Sequence, residues 1–208
     1  LWYNLLMIYA EYLLHFGFTD DSQRYSSKAE QVKIKFTELF WYDQGGYLYD
    51  VVKGEDKDSS FRPNQVFAVS LPFSLLNREH SIAMITKVKE RLVTPRGLRS
   101  LAPGSINYHE HYAGDKLHRD SAYHQGTVWS WLLGPYIDSA IRLYGAAGKQ
   151  EAVALIESFK PHLCEAGIGT ISEIFDATAP FYPKGCIAQA WGVAEVLRVY
   201  MDYKLYLL

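Results

Sequence analysis

The stretch from Arg119 to Gly145, RDSAYHQGTVWSWLLGPYIDSAIRLYG, sets Arg119, Asp120, Tyr123, His124 and Gln125 directly before an almost wholly apolar run. A guanidinium, a carboxylate, a phenol, an imidazole and a carboxamide together offer many hydrogen-bond donors and acceptors beside flat rings. That mixture suits a neutral, hydroxyl-rich ligand whose C–H faces stack on aromatics. Sugars meet this description better than phosphates do. Glycoside cleavage would further require two carboxyl groups, one to protonate the leaving oxygen and one to activate water or attack the sugar. The best local candidate is Glu173 in SEIFD, flanked by Ile171, Ile174 and Phe175. A carboxylate in apolar company is a plausible base, and a glutamate on a wet loop is the competing reading of the same composition. Asp120 and Asp176 are second-tier, expected to orient a sugar hydroxyl or a neighbouring side chain. Asp50, Glu55, Asp56 and Asp58 fall in the polar stretch DVVKGEDKDSSF and read as a solvated connection.

The elements that must position these groups alternate in character. Residues 1–16 carry only Asn4, Glu11 and His15 as polar positions and read as a buried helix. Over 22–40 the apolar positions Tyr25, Ala29, Val32, Phe36 and Leu39 step by three and four, which predicts a surface helix. An apolar helix is expected over 64–76, kinked at Pro72, then an amphipathic one over 81–92. The same alternation continues with an apolar helix over 127–144, an amphipathic one over 149–163 and a mostly apolar one from Ile187 to about Tyr203.

The apolar helices open near Leu1, Pro63, Gly126 and Ile187, about 61 to 63 residues apart, which is the mark of a repeated helical hairpin. An amide recurs at each opening: Asn4, then Asn64 with Gln65, then Gln125, then Gln189. Rings accompany them at Trp2, Phe67, Trp129 and Trp191. Capping amides and core tryptophans explain any one unit, but four recurrences point to a shared rim. The economical architecture is all-α: inner parallel helices, an outer layer running back, and a rim of inner-helix N-termini, that is, an α/α toroid. Arg62 and Lys184 belong to the same rim.

Composition bounds what else the chain can be. It has 208 residues, 49% of them hydrophobic, and a formal net charge of -2. It can bury a good core and is read as one domain. No Lys/Arg-rich run supports nucleic-acid binding, and neither a membrane span nor a secretory signal is evident. Cys164 and Cys186 have no disulfide, metal or redox spacing and fit free thiols of a cytoplasmic protein. His109, His111 and His118 lack a ligand spacing, and no Gly-rich phosphate loop is present, so neither a metal nor a cofactor is expected.

The segments LWYNLL, FRPNQVFAVSLPFSLL, VTPRGLRSLAP, RDSAYHQGTVWSWLLGPYIDSAIRLYG and SEIFDATAPFYPKGCIAQAWGVAEVLRVY together resemble the C-terminal amylo-α-1,6-glucosidase domain of glycogen debranching enzymes. The resemblance runs from the first residue almost to the last. It implies an (α/α)6 barrel and an inverting hydrolase that removes single α-1,6-linked glucose stubs from glycogen or limit dextrin. It implies Glu173 as catalytic base, with RPNQ (Arg62, Asn64, Gln65), RDSAYHQGTVW and KGCIAQAW (Lys184, Gln189, Trp191) as walls of the glucose pocket. The family's general acid stands in a WMD-type motif before the LWYN helix, and no such motif occurs here. With about seven long helices where six hairpins need about twelve, the chain is expected to be roughly the C-terminal half of a barrel. The missing half, or a self-associating partner, is then expected to complete it. A non-catalytic carbohydrate-binding or assembly module and a related inverting α-glucosidase are the alternatives.

Overall fold

The computed structural model describes residues 1–207. Its helices are α1 (Trp2–His15), α2 (Thr19–Phe40), α3 (Phe67–Ser70), α4 (Arg78–Arg91), α5 (Lys116–Ala122), α6 (Leu133–Tyr144), α7 (Ala146–Glu157) and α8 (Ala190–Asp202). Short strands lie between them: β1 (Trp41–Tyr42), β2 (Tyr47–Leu48), β3 (Val51–Lys53), β4 (Asp56–Asp58), β5 (Val93–Thr94), β6 (Gly97–Arg99), β7 (Val128–Trp129), β8 (Ile174–Phe175) and β9 (Pro183–Lys184). The chain is an α/α toroid segment in which α1, α3, α6 and α8 form the inner layer and α2, α4 and α7 return outside them. Among the described residues, no helix is long and apolar enough to cross a membrane.

The inner helix α6 anchors the packing. It buries Leu133, Tyr136, Ile137, Ala140 and Leu143, and its Pro135 sits in the first turn, where a missing N–H breaks no helical bond. The Tyr136 hydroxyl is kept satisfied in the interior by donating to Glu151 Oε1 of α7 at 2.5 Å. Asn77 caps α4 by accepting from the His80 amide at 2.8 Å, a contact worth ~1 kcal/mol.

Four expectations from the sequence are corrected. The apolar helix over 64–76 is a 3₁₀ turn (Pro63–Val66) followed by the single turn α3. Pro72 ends it: Leu71 adopts φ -64° and ψ 158°, the extended form that a following proline imposes. The helix expected from 127 begins at Leu133, because Val128–Trp129 pairs as a strand and a 3₁₀ turn intervenes. The last helix opens at Ala190 rather than Ile187.

Finally, α1 is not buried all round. Leu1, Trp2, Leu5, Ile8, Tyr12 and Leu14 are exposed; among the described residues the main cover of the helix comes from α2 and the segment after α3.

The sequence reading also missed a five-stranded antiparallel sheet in the order β5-β6-β7-β8-β9. It lies across the beginnings of the inner helices and joins loops that are far apart in sequence. The register sets Leu98 against Trp129, Trp129 against Ile174, and Ile174 against Lys184.

Asn4 is buried and binds one residue twice, donating from Nδ2 to the Phe73 carbonyl and accepting the Phe73 amide at Oδ1, both at 2.9 Å. This pair ties α1 to the segment after α3. Asn4→Ala would orphan both backbone groups, and a loss of ~2–4 kcal/mol is expected. Urea unfolding should show a lower midpoint with an unchanged slope, and a midpoint equal to wild type would refute the tie.

Candidate active site

Glu173 sits just before β8, in the strand pair that β8 makes with β9. Its amide donates to the Cys186 carbonyl at 2.9 Å, and the Cys186 amide returns a bond to Glu173 Oε2 at 2.9 Å. The turn between them needs Gly185, whose φ is +67° and at which a Cβ would lie 2.4 Å from Oε2. On the other side, the Tyr123 hydroxyl donates to Glu173 Oε1. Burial raises the Glu173 pKa, but the Tyr123 hydroxyl, the Cys186 amide and thiol, and the Gln189 side chain together hold it below the ordinary glutamate value. Tyr123 is pushed the other way, first by burial and then by its bond to the carboxylate, so it remains a protonated donor.

Rings continue from Tyr123. Its ring lies 5.0 Å from Trp129 and 4.7 Å from His124, and His124 stacks on Trp129 at 5.2 Å with an interplanar angle of 8°. Trp129 meets Trp191 edge-on at 6.1 Å, and Trp191 stacks on Trp131 at 5.0 Å. Gly192 allows this approach, because a Cβ there would come 2.5 Å from Ser130 Oγ. His124, Trp129, Trp131 and Trp191, but not Tyr123, line a cleft of about 560 Å³ together with Asp50, Arg62, Asn64, Ser100 and Gln125.

Arg62 organises the polar residues of that cleft. It precedes Pro63 and so takes extended backbone, φ -122° and ψ 159°. Its guanidinium donates to the Ser100 carbonyl at 3.1 Å, the His124 carbonyl at 2.8 Å and Gln125 Oε1 at 2.8 Å, and its Nε lies 3.4 Å from Asp50 Oδ2. Burial and the Arg62 charge both hold the His124 imidazole below its ordinary value, so it is uncharged at neutral pH and can donate and accept.

The structure therefore brings Arg62, Asn64, His124, Gln125, Trp129 and Trp191 to one cleft, and Glu173, Tyr123 and Gln189 to one carboxylate cluster joined to that cleft by the Tyr123 ring. Other expected residues stand elsewhere. Trp2 is 52% exposed on α1, beneath the Lys28 ammonium, and Asn4 is engaged by Phe73. Gln65 donates to the Arg62 carbonyl and accepts the Leu48 amide, so it fastens β2 to the 3₁₀ turn instead of facing the cleft. Arg119 donates to the Gly114 carbonyl and Asp120 is exposed; both belong to α5, outside the cleft wall.

Lys184 lies 3.8 Å from Asp176 and is only indirectly part of the cluster, through β9. Asp176 is buried and accepts the Tyr112 amide at 2.8 Å, which places it as an orienting group for the 109–112 loop. His111 also faces it at 3.4 Å.

The residue that the sequence reading misplaced most is Asp50. The stretch after β2 was expected to be a solvated connection, yet the Asp50 side chain is only 18% exposed and lines the cleft beside Arg62 and Asn64. The available signal was its apolar setting, YLYDVV, ahead of the charged stretch that separates it from RPNQ.

Comparison with known proteins bears on the family and the fold. Residues 1–198 match the family model described as amylo-alpha-1,6-glucosidase. Over 87 residues the chain is 36% identical to the glycogen debranching enzyme of Saccharomyces cerevisiae, a match covering 39% of this chain and 6% of that protein. Neutral trehalase Nth1 from Saccharomyces cerevisiae superposes with a TM-score of 0.66 over 98% of this chain at 17% identity, and shares the fold. The chain covers 36% of the trehalase chain. With the family model matched over nearly its whole length, the chain belongs to the amylo-alpha-1,6-glucosidase family of glycoside hydrolases.

Proposed function

We propose that this chain is the base-bearing part of an inverting hydrolase that removes single α-1,6-linked glucose stubs from glycogen or limit dextrin in the cytoplasm. The observation that carries the reading is a carboxylate, Glu173, held ionised by a phenol and a backbone amide beside an aromatic cleft rich in amides. An ionised carboxylate can accept a proton from water, whose oxygen then attacks the anomeric carbon as the glycosidic C–O bond breaks. The leaving oxygen takes a proton from a second carboxyl group roughly 6.5 to 9.5 Å away, and the configuration inverts. No WMD-type acid occurs in the sequence, so that group is assigned to residues outside these 208, packed where α1 is bare. The exposed free thiols Cys164 and Cys186 accord with a reducing compartment.

In the intact catalytic domain, Glu173→Gln keeps shape and reach but removes the base. Turnover of limit dextrin should fall by ~10² to 10⁴ while binding persists, and the wild-type product should appear first as β-glucose by anomer-resolved NMR. Near-normal turnover of the variant, or α-glucose first, would refute the assignment. The 208-residue chain alone should show no measurable hydrolysis, and clear turnover by it would place the acid within these residues.

The ionised state can be read without turnover. Carbon-detected NMR titration of the Glu173 carboxyl should give a midpoint below the ordinary glutamate value. Tyr123→Phe removes a contact that lowers the pKa and leaves the burial that raises it, so the midpoint should move up. The linked stability has the matching sign: it is present above the unfolded-state pKa and lost as pH falls through the folded one. An unmoved midpoint in Tyr123→Phe would show that the phenol does not set the charge of the base.

A further inference from the structure

We propose that Asp50 is the specificity-determining carboxylate of the cleft, accepting hydroxyls of an uncharged sugar and turning away phosphorylated or acidic ones. The proposal rests on the sugar-cleft reading above and extends it to a residue that the sequence had placed in solvent.

Three observations support it. First, Asp50 is fixed: its backbone amide donates to the Asp58 carbonyl at 2.9 Å, its carboxylate meets Arg62 Nε at 3.4 Å, and Asn64 lines the cleft beside it. A carboxylate with its neighbours set in this way keeps lone pairs free for a ligand without the entropy cost of a mobile side chain. Second, Arg62 is the one cationic side chain among the residues lining the cleft, and it is directed to protein acceptors: Asp50, the Ser100 and His124 carbonyls and Gln125. It neutralises the wall and offers no open fork to an anionic ligand. Third, the second lining carboxylate, Asp58, accepts the Ser60 amide at 2.8 Å and adds to the negative side of the balance.

An anion entering the cleft meets the largely buried Asp50 carboxylate, whose repulsion the partly dry wall screens less than bulk water would, with the exposed Asp58 at the edge and the guanidinium already engaged. A neutral sugar meets acceptors for its hydroxyls and rings for its C–H faces.

The probes are glucose, isomaltose and glucose 6-phosphate, titrated into the intact catalytic domain with tryptophan fluorescence as the signal, since Trp129, Trp131 and Trp191 line the cleft. Wild type should bind glucose and isomaltose, and glucose 6-phosphate at least tenfold more weakly than glucose. Asp50→Asn, similar in size and still able to accept from Arg62, should weaken glucose and isomaltose by about tenfold and bring glucose and glucose 6-phosphate together. Asp50→Glu keeps the charge and should keep the discrimination; it decides the matter should Asp50→Asn fail to fold by circular dichroism. Sugar binding in wild type that Asp50→Asn leaves unchanged overturns the role of Asp50 and leaves the sugar cleft standing. Equal affinity of wild type for glucose and glucose 6-phosphate overturns it as well. No response of wild type to either neutral sugar overturns both the cleft reading and this proposal.

Discussion

A guanidinium removed from most of its water must find acceptors, and Arg62 finds them in three separate parts of the chain. The Asp50 loop, Ser100 after β6, and the His124–Gln125 turn before β7 all converge on it. Unpaired, such a charge would be costly; paired, it fixes the spacing of the cleft wall. The five-stranded sheet meets the same need on the backbone side, where irregular segments ahead of the inner helices would otherwise leave N–H and C=O groups without partners. Helices supply the mass of the fold, while these two polar devices set the positions of the groups that do chemistry.

The carboxylate cluster and the cleft differ in how they are held. Glu173 depends on main-chain pairing between β8 and β9 and on one phenol, so its geometry follows from backbone register. The cleft depends on side-chain stacking of His124, Trp129, Trp131 and Trp191, which is broader and less directional. A precise carboxylate beside a tolerant aromatic wall suits a reaction in which one proton must be placed accurately while a flat sugar face can slide. The Tyr123 ring touches both and couples them.

Much of this was legible in the chain itself. The 61-to-63-residue recurrence of apolar helices reflects a real stacking of hairpins, and Glu173 stood out because apolar neighbours on both sides mark a carboxylate drawn inward. The sheet was not legible, since strands of two or three residues are too short to show alternation. Asn4 looked like a rim amide because the sequence cannot tell a side chain that faces a ligand from one that grips the Phe73 backbone. Asp50 was hidden by the charged residues that follow it, which are exposed, Asp58 included although it borders the cleft. The apolar character of α1 was correctly read, but burial depends on neighbours, and within this chain one side of that helix has none.

The turn at Gly185 and Cys186 also constrains how this sequence can drift. What Glu173 Oε2 receives along the main chain at position 186 is an amide, and an amide is the same whatever side chain follows it, proline excepted. The bond from position 186 to Glu173 therefore does not depend on the cysteine side chain. Position 185 is more constrained, because its positive φ favours glycine and a Cβ there would crowd the Glu173 carboxylate. A residue that has no functional group at all thus bears on where the Glu173 carboxylate stands.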